Sequence, residues 1–167
     1  MTTQVQGREP TPRVEDRLAL YTTQAVGQVS DEIVSRVESF ANRFQGAFES
    51  TEATRSPLRN VLAVAASPES GVKALQNFIL YQGGRAGSGS KFWTHKDASG
   101  ALLAPALVAE LNKLDDIHQN VCNLISERSG EKLSNLEKNR LRLRLMQLFI
   151  GYLARTQVAL SGTKKHK

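Results

Sequence analysis

Apolar residues recur at every third or fourth position along most of this chain, and that spacing constrains the fold more than any other feature. The clearest case is one stripe: Ile33, Val34, Val37, Phe40, Ala41, Phe44, Ala47 and Phe48. At 3.6 residues per turn these positions share one face of an amphipathic helix, and such a face normally packs into a core. A groove for a partner is the alternative use of a face with three phenylalanines. The stripe predicts a long helix with a buried side.

Prolines and glycines divide the chain into further helices. Ser56-Pro57 and Ser67-Pro68 each predict a helix start, because serine caps a helix and proline presets φ. From Pro105 a seam with alternating three- and four-residue spacings predicts one long helix that ends near Gly130. Its members are Leu107, Leu111, Leu114, His118, Val121 and Ile125.

The last helix has the strongest start signal. Ser134 followed by Glu137 forms a capping box, in which each residue satisfies a backbone amide of the other. The helical pattern runs to about Leu160, and its segment LRLMQLFIGYLA is apolar nearly all round. A helix of that kind is buried on most sides. We therefore expect it to be the central helix.

These patterns together predict an all-α fold. No stretch alternates apolar and polar residues with β-branched enrichment, so we expect essentially no sheet. The expected architecture is a single-domain helical bundle of about five to six helices with a long Gly/Ser-rich basic loop at 83–100. Residues 1–10 are predicted to be a disordered N-terminal tail, 11–162 the helical bundle domain, and 163–167 a basic C-terminal tail.

The cysteine content and the hydropathy pattern indicate the cellular compartment of the protein. Cys122 is the single cysteine, so an intrachain disulfide is excluded, which suits a reducing compartment. The N-terminus lacks the apolar core of a secretory signal. No apolar run approaches the ~20 residues needed to span a bilayer. We expect a cytoplasmic protein without a membrane partner.

The net charge of +6 is unevenly distributed. Residues 131–167 contain nine Lys/Arg and two Asp/Glu, a balance of +7, and residues 83–100 contain three and one, a balance of +2. The rest of the chain is slightly acidic. Clustered positive charge is the footprint of a polyanion partner. A basic surface that serves only solubility would have the same composition.

The stretch 83–100 combines backbone freedom, positive charge and aromatic rings. Gly83-Gly84 is predicted to end a helix, because glycine adopts the left-handed conformation without strain. The sequence GGRAGSGSK departs from a phosphate-binding P-loop, since Ser90 precedes the lysine and no hydroxyl residue follows it. We interpret the stretch as a strand-binding loop. Its candidate contacts are Arg85, Lys91 and Lys96 for phosphates, and Phe92 and Trp93 for bases. Anchoring of the two rings in the core is the alternative.

Five basic residues of the last helix are further candidate nucleic-acid contacts: Lys138, Arg140, Arg142, Arg144 and Arg155. Lys138 and Arg142 share one side of the helix, and Arg140 and Arg144 share another. A spacing of four residues covers about 6 Å of helix axis, close to the separation of adjacent phosphates in a single strand. An ordinary solvated rim, with arginine stems covering apolar surface, is the alternative interpretation.

Catalytic and metal signals are weak. His118 and Cys122 are four residues apart, but two ligands do not make a metal site, and a packed seam explains both. His95 has no serine or cysteine nucleophile assigned to it. We predict no catalytic residue, no metal and no cofactor, and hence a protein that is not an enzyme.

Two short elements resemble a known family. A helix that ends Tyr81-Gln82-Gly83-Gly84-Arg85, followed later by Leu148-Phe149-Ile150-Gly151-Tyr152, is similar to the small subunits of type III CRISPR effector complexes. In the Csm-type subunits an apolar helix ends in a Tyr-x-x-Gly-Arg-like element, and the Cmr-type subunits share an aromatic and basic C-terminal helix. The resemblance covers residues 58–160. The chain departs from it by the Gly/Ser-rich insertion after Arg85 and by lacking the usual acidic residue in the last helix.

The resemblance implies a non-catalytic, all-helical small subunit of an RNA-guided effector ribonucleoprotein. Its partners would be guide and target RNA or a single-stranded DNA backbone, other CRISPR effector subunits, and copies of itself stacked head to tail. Such subunits contact the backbone and do not read sequence. By position, Arg85 is the residue that the resemblance marks as a strand contact. The alternative from another class is a helical protein–protein adaptor or scaffold with a basic solvated surface and no nucleic-acid role.

Overall fold

A computed structural model describes residues 14–50, 57–67, 70–85 and 90–163. In these ranges the chain forms helices and no strand, so the all-α prediction is confirmed. The helices are α1 (Val14–Gln28), α2 (Ser30–Arg43), α3 (Gln45–Glu49), α4 (Leu58–Ala66), α5 (Val72–Gly84), α6 (Ser90–Trp93), α7 (Leu103–Asn112), α8 (Asp115–Ser129) and α9 (Asn135–Thr163). The predicted tail at 1–10 lies outside the described residues, as do residues 164–167 of the predicted C-terminal tail.

Helix α9 is the centre of the bundle, as the sequence predicts. It packs against α2, α3, α4, α5 and α8, while α1 packs on α8 and α5 on α7. Its start is the predicted capping box: the Ser134 amide and hydroxyl donate to Glu137 Oε2 at 2.7 and 2.6 Å, and the Glu137 amide donates back to the Ser134 hydroxyl at 3.3 Å. Its buried side chains are Leu141, Leu145, Met146, Phe149, Ile150 and Leu153.

The apolar stripe of residues 33–48 forms two helices where the sequence predicts one. The chain leaves helical geometry at Phe44, whose φ and ψ are −114° and 33°. This kink buries the Phe44 ring completely and brings its centroid to 5.0 Å from that of Phe40. The Phe40 ring in turn meets Phe149 of α9 edge-on at 6.3 Å. The stripe is core, as interpreted from the sequence, but it wraps around α9 with a bend.

The long helix predicted from Pro105 to Gly130 is also divided in two. A tight turn at Lys113 and Leu114 separates α7 from α8, and Leu114 is buried there. Arg36 of α2 fixes this turn, because its guanidinium donates to the Lys113 carbonyl oxygen at 2.9 Å and to Asp116 Oδ2 at 2.6 Å. The hydrogen bond from Arg36 lowers the pKa of the Asp116 carboxyl. The predicted end at Gly130 is confirmed, with a left-handed φ of 73°.

The two Ser-Pro pairs differ in outcome. Helix α4 begins at Leu58, directly after Pro57, while Ser56 lies outside the described residues. The second prediction is wrong, because Ser67 terminates α4 with a hydrogen bond from its amide to the Val64 carbonyl oxygen. The next helix, α5, begins only at Val72, after an extended Gly71.

The predicted long loop at 83–100 is largely replaced by ordered structure. Gly83 and Gly84 both belong to α5, and neither adopts a positive φ. Gly83 is needed for close packing, since a Cβ there would lie 2.9 Å from the Cβ of Ala104 in α7. Residues 90–93 form α6, and an isolated bridge pairs Lys96 with Leu102. Residues 86–89 lie outside the described part of the chain.

None of the helices in the described ranges has both the length and the apolar character that crossing a bilayer requires.

The contact of α5 with α7 predicts opposite effects for two adjacent substitutions. Gly83→Ala should destabilise the fold by about 1–3 kcal/mol, because the added methyl would lie 2.9 Å from the Cβ of Ala104. Gly84→Ala is the matched control: a Cβ there meets nothing within 4 Å, so the change should be neutral or stabilising by up to about 1 kcal/mol. Urea unfolding followed by circular dichroism measures both. Equal stability of the two variants would contradict the packing role of Gly83.

Candidate nucleic-acid interface

The outer face of α9 carries three arginines. At 100° per residue, Arg140, Arg144 and Arg155 fall within an arc of about 60°, opposite the buried side of the helix. All three side chains are exposed. Gly151 lies on the same arc, and a Cβ there would meet no neighbouring side chain or helix within 4 Å. No other described helix therefore contacts this position, while Gln147, next to the arc, donates a hydrogen bond to the Ala65 carbonyl oxygen of α4.

These arginines keep their charge largely uncompensated. Within the described residues Arg140, Arg144 and Arg155 make no ion pair, although Arg140 lies close enough to Glu137 to lower the pKa of that carboxyl slightly, after the larger effect of its hydrogen bonds with Ser134. The Arg155 guanidinium lies over the Tyr152 ring, 5.1 Å from its centroid. A ring contact orients a cation without neutralising it. The face is thus available to an anion.

Arg142 and Lys138 belong to the other side of α9, which faces α8. Arg142 donates to Asp115 at 2.9 and 3.0 Å and is only 31% exposed, so its charge is compensated within the protein. The Lys138 carbonyl oxygen accepts a hydrogen bond of 2.9 Å from His118 Nε2, while its ammonium group is exposed. The division of these residues between two sides of the helix is as the sequence predicts. The pairing of Arg142 makes it a structural contact in this arrangement.

Arg85 forms a second positive site, at the end of α5. Its guanidinium lies 5.8 Å from the centroid of the Tyr81 ring and donates to Gln82 Oε1 at 3.2 Å. Gln82 is 7% exposed, so the acceptor is fixed in the protein surface. The Tyr81 ring is 59% exposed and lies 6.5 Å from the half-buried ring of Phe78. The arginine is therefore held beside an accessible aromatic ring.

Phe92 and Trp93 are in the core, which corrects their predicted role as base-stacking residues. They are 9% and 2% exposed. Their rings meet edge-on at 5.0 Å, and Phe92 also meets Phe48 of α3 edge-on at 5.5 Å. A ring enclosed in this way cannot present a face to a base. The structure supports the alternative interpretation, in which the pair anchors the segment after α5.

Lys91 and Lys96 are exposed on either side of this anchor. The turn after Lys96 is fixed by Asp97, whose Oδ1 accepts hydrogen bonds from the Ser99 amide, the Ser99 hydroxyl and the Ala101 amide at 2.7–2.9 Å. Its Oδ2 accepts from Arg43 Nε at 2.5 Å. The hydrogen bond from the Ser99 hydroxyl and the pairing with Arg43 hold the pKa of the Asp97 carboxyl far below its usual range. The negative charge is thus used internally by Arg43 and does not neutralise Lys96.

His118 and Cys122 form a packed contact between α8 and α9. Cys122 Sγ lies 3.5 Å from His118 Nε2, and burial raises the pKa of the thiol. His95 packs beside Gly46, where a Cβ would lie 3.0 Å from its Cε1. Within the described ranges no three His, Cys, Asp or Glu side chains group closely enough to hold a metal ion.

Sequence reasoning missed Tyr81 and Asp97. Tyr81 reads as one more apolar member of α5, and only its position four residues before Arg85 signals the ring contact. For Asp97 the signal is the sequence Asp-Ala-Ser-Gly, in which a carboxylate followed two residues later by a serine favours an Asx turn.

The comparisons do not place the chain in a family. No protein-family model, curated protein or solved structure matches it.

Burial of Trp93 leads to two predictions. Its replacement should lower the stability of the fold strongly, and its fluorescence in the unmodified chain should not change when nucleic acid is added. Trp93→Ala should cost about 3–5 kcal/mol of unfolding free energy, because it empties a packed site. Lys96→Ala, an exposed neighbour, is the control and should change stability by less than about 0.5 kcal/mol. In the unmodified chain, where Trp93 is the sole tryptophan, emission should resist acrylamide quenching and stay constant when an oligonucleotide is added. Quenching by the oligonucleotide would restore the stacking role.

Proposed function

We propose that this chain is a non-catalytic helical subunit that binds the backbone of a single-stranded nucleic acid without reading its sequence. The observation that carries the proposal is the row of Arg140, Arg144 and Arg155 on the outer face of α9, without an ion pair in the described residues. Guanidinium groups suit phosphate because they offer several donors in a planar fork. Contacts of this kind fix a strand in place but carry no sequence information.

The geometry of the row suits an extended polyanion. Fifteen residues separate Arg140 from Arg155, which is about 22 Å of helix axis. The three side chains lie along a nearly straight line, since they share a narrow arc of the helix. Gly151 lies between them, is partly exposed and adds no side chain to this face. A compact anion, such as a single nucleotide, would use only one of these groups.

Glu137 interacts electrostatically with Arg140, but no carboxylate of the described residues forms an ion pair with this row. The ion pairs of the described acidic residues are made to other cations: Asp116 with Arg36, Asp97 with Arg43 and Asp115 with Arg142. Pairs of this kind hold helices and turns together. Arg140, Arg144 and Arg155 have no such partner in the described residues and share one face of α9, so this row attracts phosphates at long range and at low salt.

The resemblance to the small subunits of type III CRISPR effectors adds a specific complex and specific partners to the proposal. In that form the chain lies in a cytoplasmic RNA-guided complex, contacts target RNA or a displaced single strand, and adjoins other effector subunits and copies of itself. Arg85, the position carried over from that resemblance, is exposed and oriented by Tyr81 and Gln82. Its placement directly after α5 supplies a second phosphate contact in addition to the α9 row.

Removal of the three arginines provides the test. The triple variant Arg140→Gln, Arg144→Gln, Arg155→Gln should lose at least about tenfold in affinity for a labelled oligouridine at roughly 50 mM salt, because each lost phosphate contact forfeits counterion release. The matched control removes three exposed charges on α1, α4 and α5: Arg17→Gln, Arg59→Gln, Lys73→Gln. Both variants have the same net charge, so the control should stay within about threefold of the unmodified chain. Fluorescence anisotropy measures the affinities.

Two results would contradict the proposal. Equal losses in both triple variants would show that net charge alone governs binding. Failure of the unmodified chain to bind any oligonucleotide at low salt would favour the adaptor function, in which the basic surface serves solubility.

A further inference from the structure

The exposed ring of Tyr81 is the one aromatic surface of the described chain that lies beside an arginine and is more than half open. Tyr81 is 59% exposed, whereas Phe92 and Trp93, the other aromatics near the basic segment, are buried. Here the ring is held on two sides, by Phe78 three residues before it and by Arg85 four residues after it.

We propose that Tyr81 and Arg85 form a stacking site for one unpaired nucleobase, with the phosphate of that nucleotide on Arg85. This inference rests on the proposed strand binding and adds a contact to a base. The ring supplies a π-face, and base–aromatic stacking tolerates any base. The guanidinium lies over the ring, 5.8 Å from its centroid, and supplies a positive charge next to the stacking surface.

The site is preorganised, which favours a flat ligand. Arg85 is fixed by the buried Gln82 amide, with 3.2 Å between Arg85 Nη1 and Gln82 Oε1. Phe78 is partly buried against the core, and its ring centroid lies 6.5 Å from that of Tyr81. A side chain that is already fixed loses little conformational entropy when it binds.

The charge of the site selects a nucleotide over an apolar peptide. Arg85 makes no ion pair within the described residues, so a ligand that covers the ring must also accommodate a cation. An unpaired nucleotide offers a base for the ring and a phosphate for the guanidinium in one unit. An apolar side chain from a protein partner would cover the ring but leave the charge unpaired and partly desolvated, which costs free energy.

A comparison of two strands tests the stacking contact separately from backbone binding. One strand is an oligouridine, and the other is an abasic strand of the same length and phosphate number. Tyr81→Leu retains the apolar contact with Phe78 but removes the π-face, and should weaken oligouridine binding at least about fivefold while leaving abasic-strand binding unchanged. Tyr81→Phe retains the ring and should bind both strands as the unmodified chain does. Leu80→Ala, a neighbouring side chain that is 46% exposed, is the control for loss of surface and should change neither affinity.

The outcomes separate this inference from the proposed function. If Tyr81→Leu weakens both strands equally, or neither, then no base stacks on Tyr81 and the inference is wrong, even where the α9 arginines still matter. If the unmodified chain binds neither strand, the proposed function fails as well. The stacking site is established by two results together. The unmodified chain must bind the oligouridine more tightly than the abasic strand, and this difference must persist in Tyr81→Phe but disappear in Tyr81→Leu.

Discussion

The burial of α9 on most of its sides is the constraint on which the rest of the structure depends. One side of this helix presents Leu145, Phe149 and Leu153 to the helices around it, and all three side chains are fully buried. Burial of a large apolar side chain contributes about 1.5–3 kcal/mol, so this seam is a main source of stability. The surrounding helices leave a narrow arc of α9 in solvent. The arginines of α9 lie there for that reason.

Pairing of the acidic residues determines which positive charges are available. Arg36, Arg43 and Arg142 each have a carboxylate partner that joins two parts of the chain distant in sequence. Arg140, Arg144 and Arg155 have no such partner in the described residues. The distinction matters because the two groups are identical in residue type. Structural arginines hold the bundle in one arrangement, and the remaining ones give that arrangement an electrostatic surface.

Local signals predicted the parts of this fold that depend on neighbouring residues. The Ser134–Glu137 capping box, the left-handed end of α8 at Gly130 and the apolar seam of α9 follow from residues within a few positions of each other. The breaks at Phe44 and at Lys113 could not be predicted in this way. The second is fixed by Arg36, which lies 77 residues from the carbonyl oxygen that it contacts. Periodicity cannot show a bend that a distant side chain stabilises.

The sequence predicted that basic residues of the candidate site lie on two faces of α9. It did not predict which arginines are paired or which aromatic rings are buried. Arg140 and Arg144 were assigned to a face distinct from that of Arg142 by helical spacing alone, and the structure confirms that placement. Spacing does not indicate that Asp115 neutralises Arg142, because the pair lies across two helices. The same limit applies to Phe92 and Trp93, whose polar and glycine-rich surroundings suggested an exposed loop. Their burial depends on Phe48, more than forty residues earlier in the chain.

The salt dependence of strand binding tests the central claim most directly, since uncompensated arginines act through release of counterions from phosphates. The affinity of the unmodified chain for a labelled oligouridine is measured by anisotropy between roughly 50 and 300 mM salt. Three to four phosphate contacts, from the α9 row and Arg85, predict a log–log slope of about −2 to −3. A slope near zero, or no binding at the lowest salt, would contradict the account.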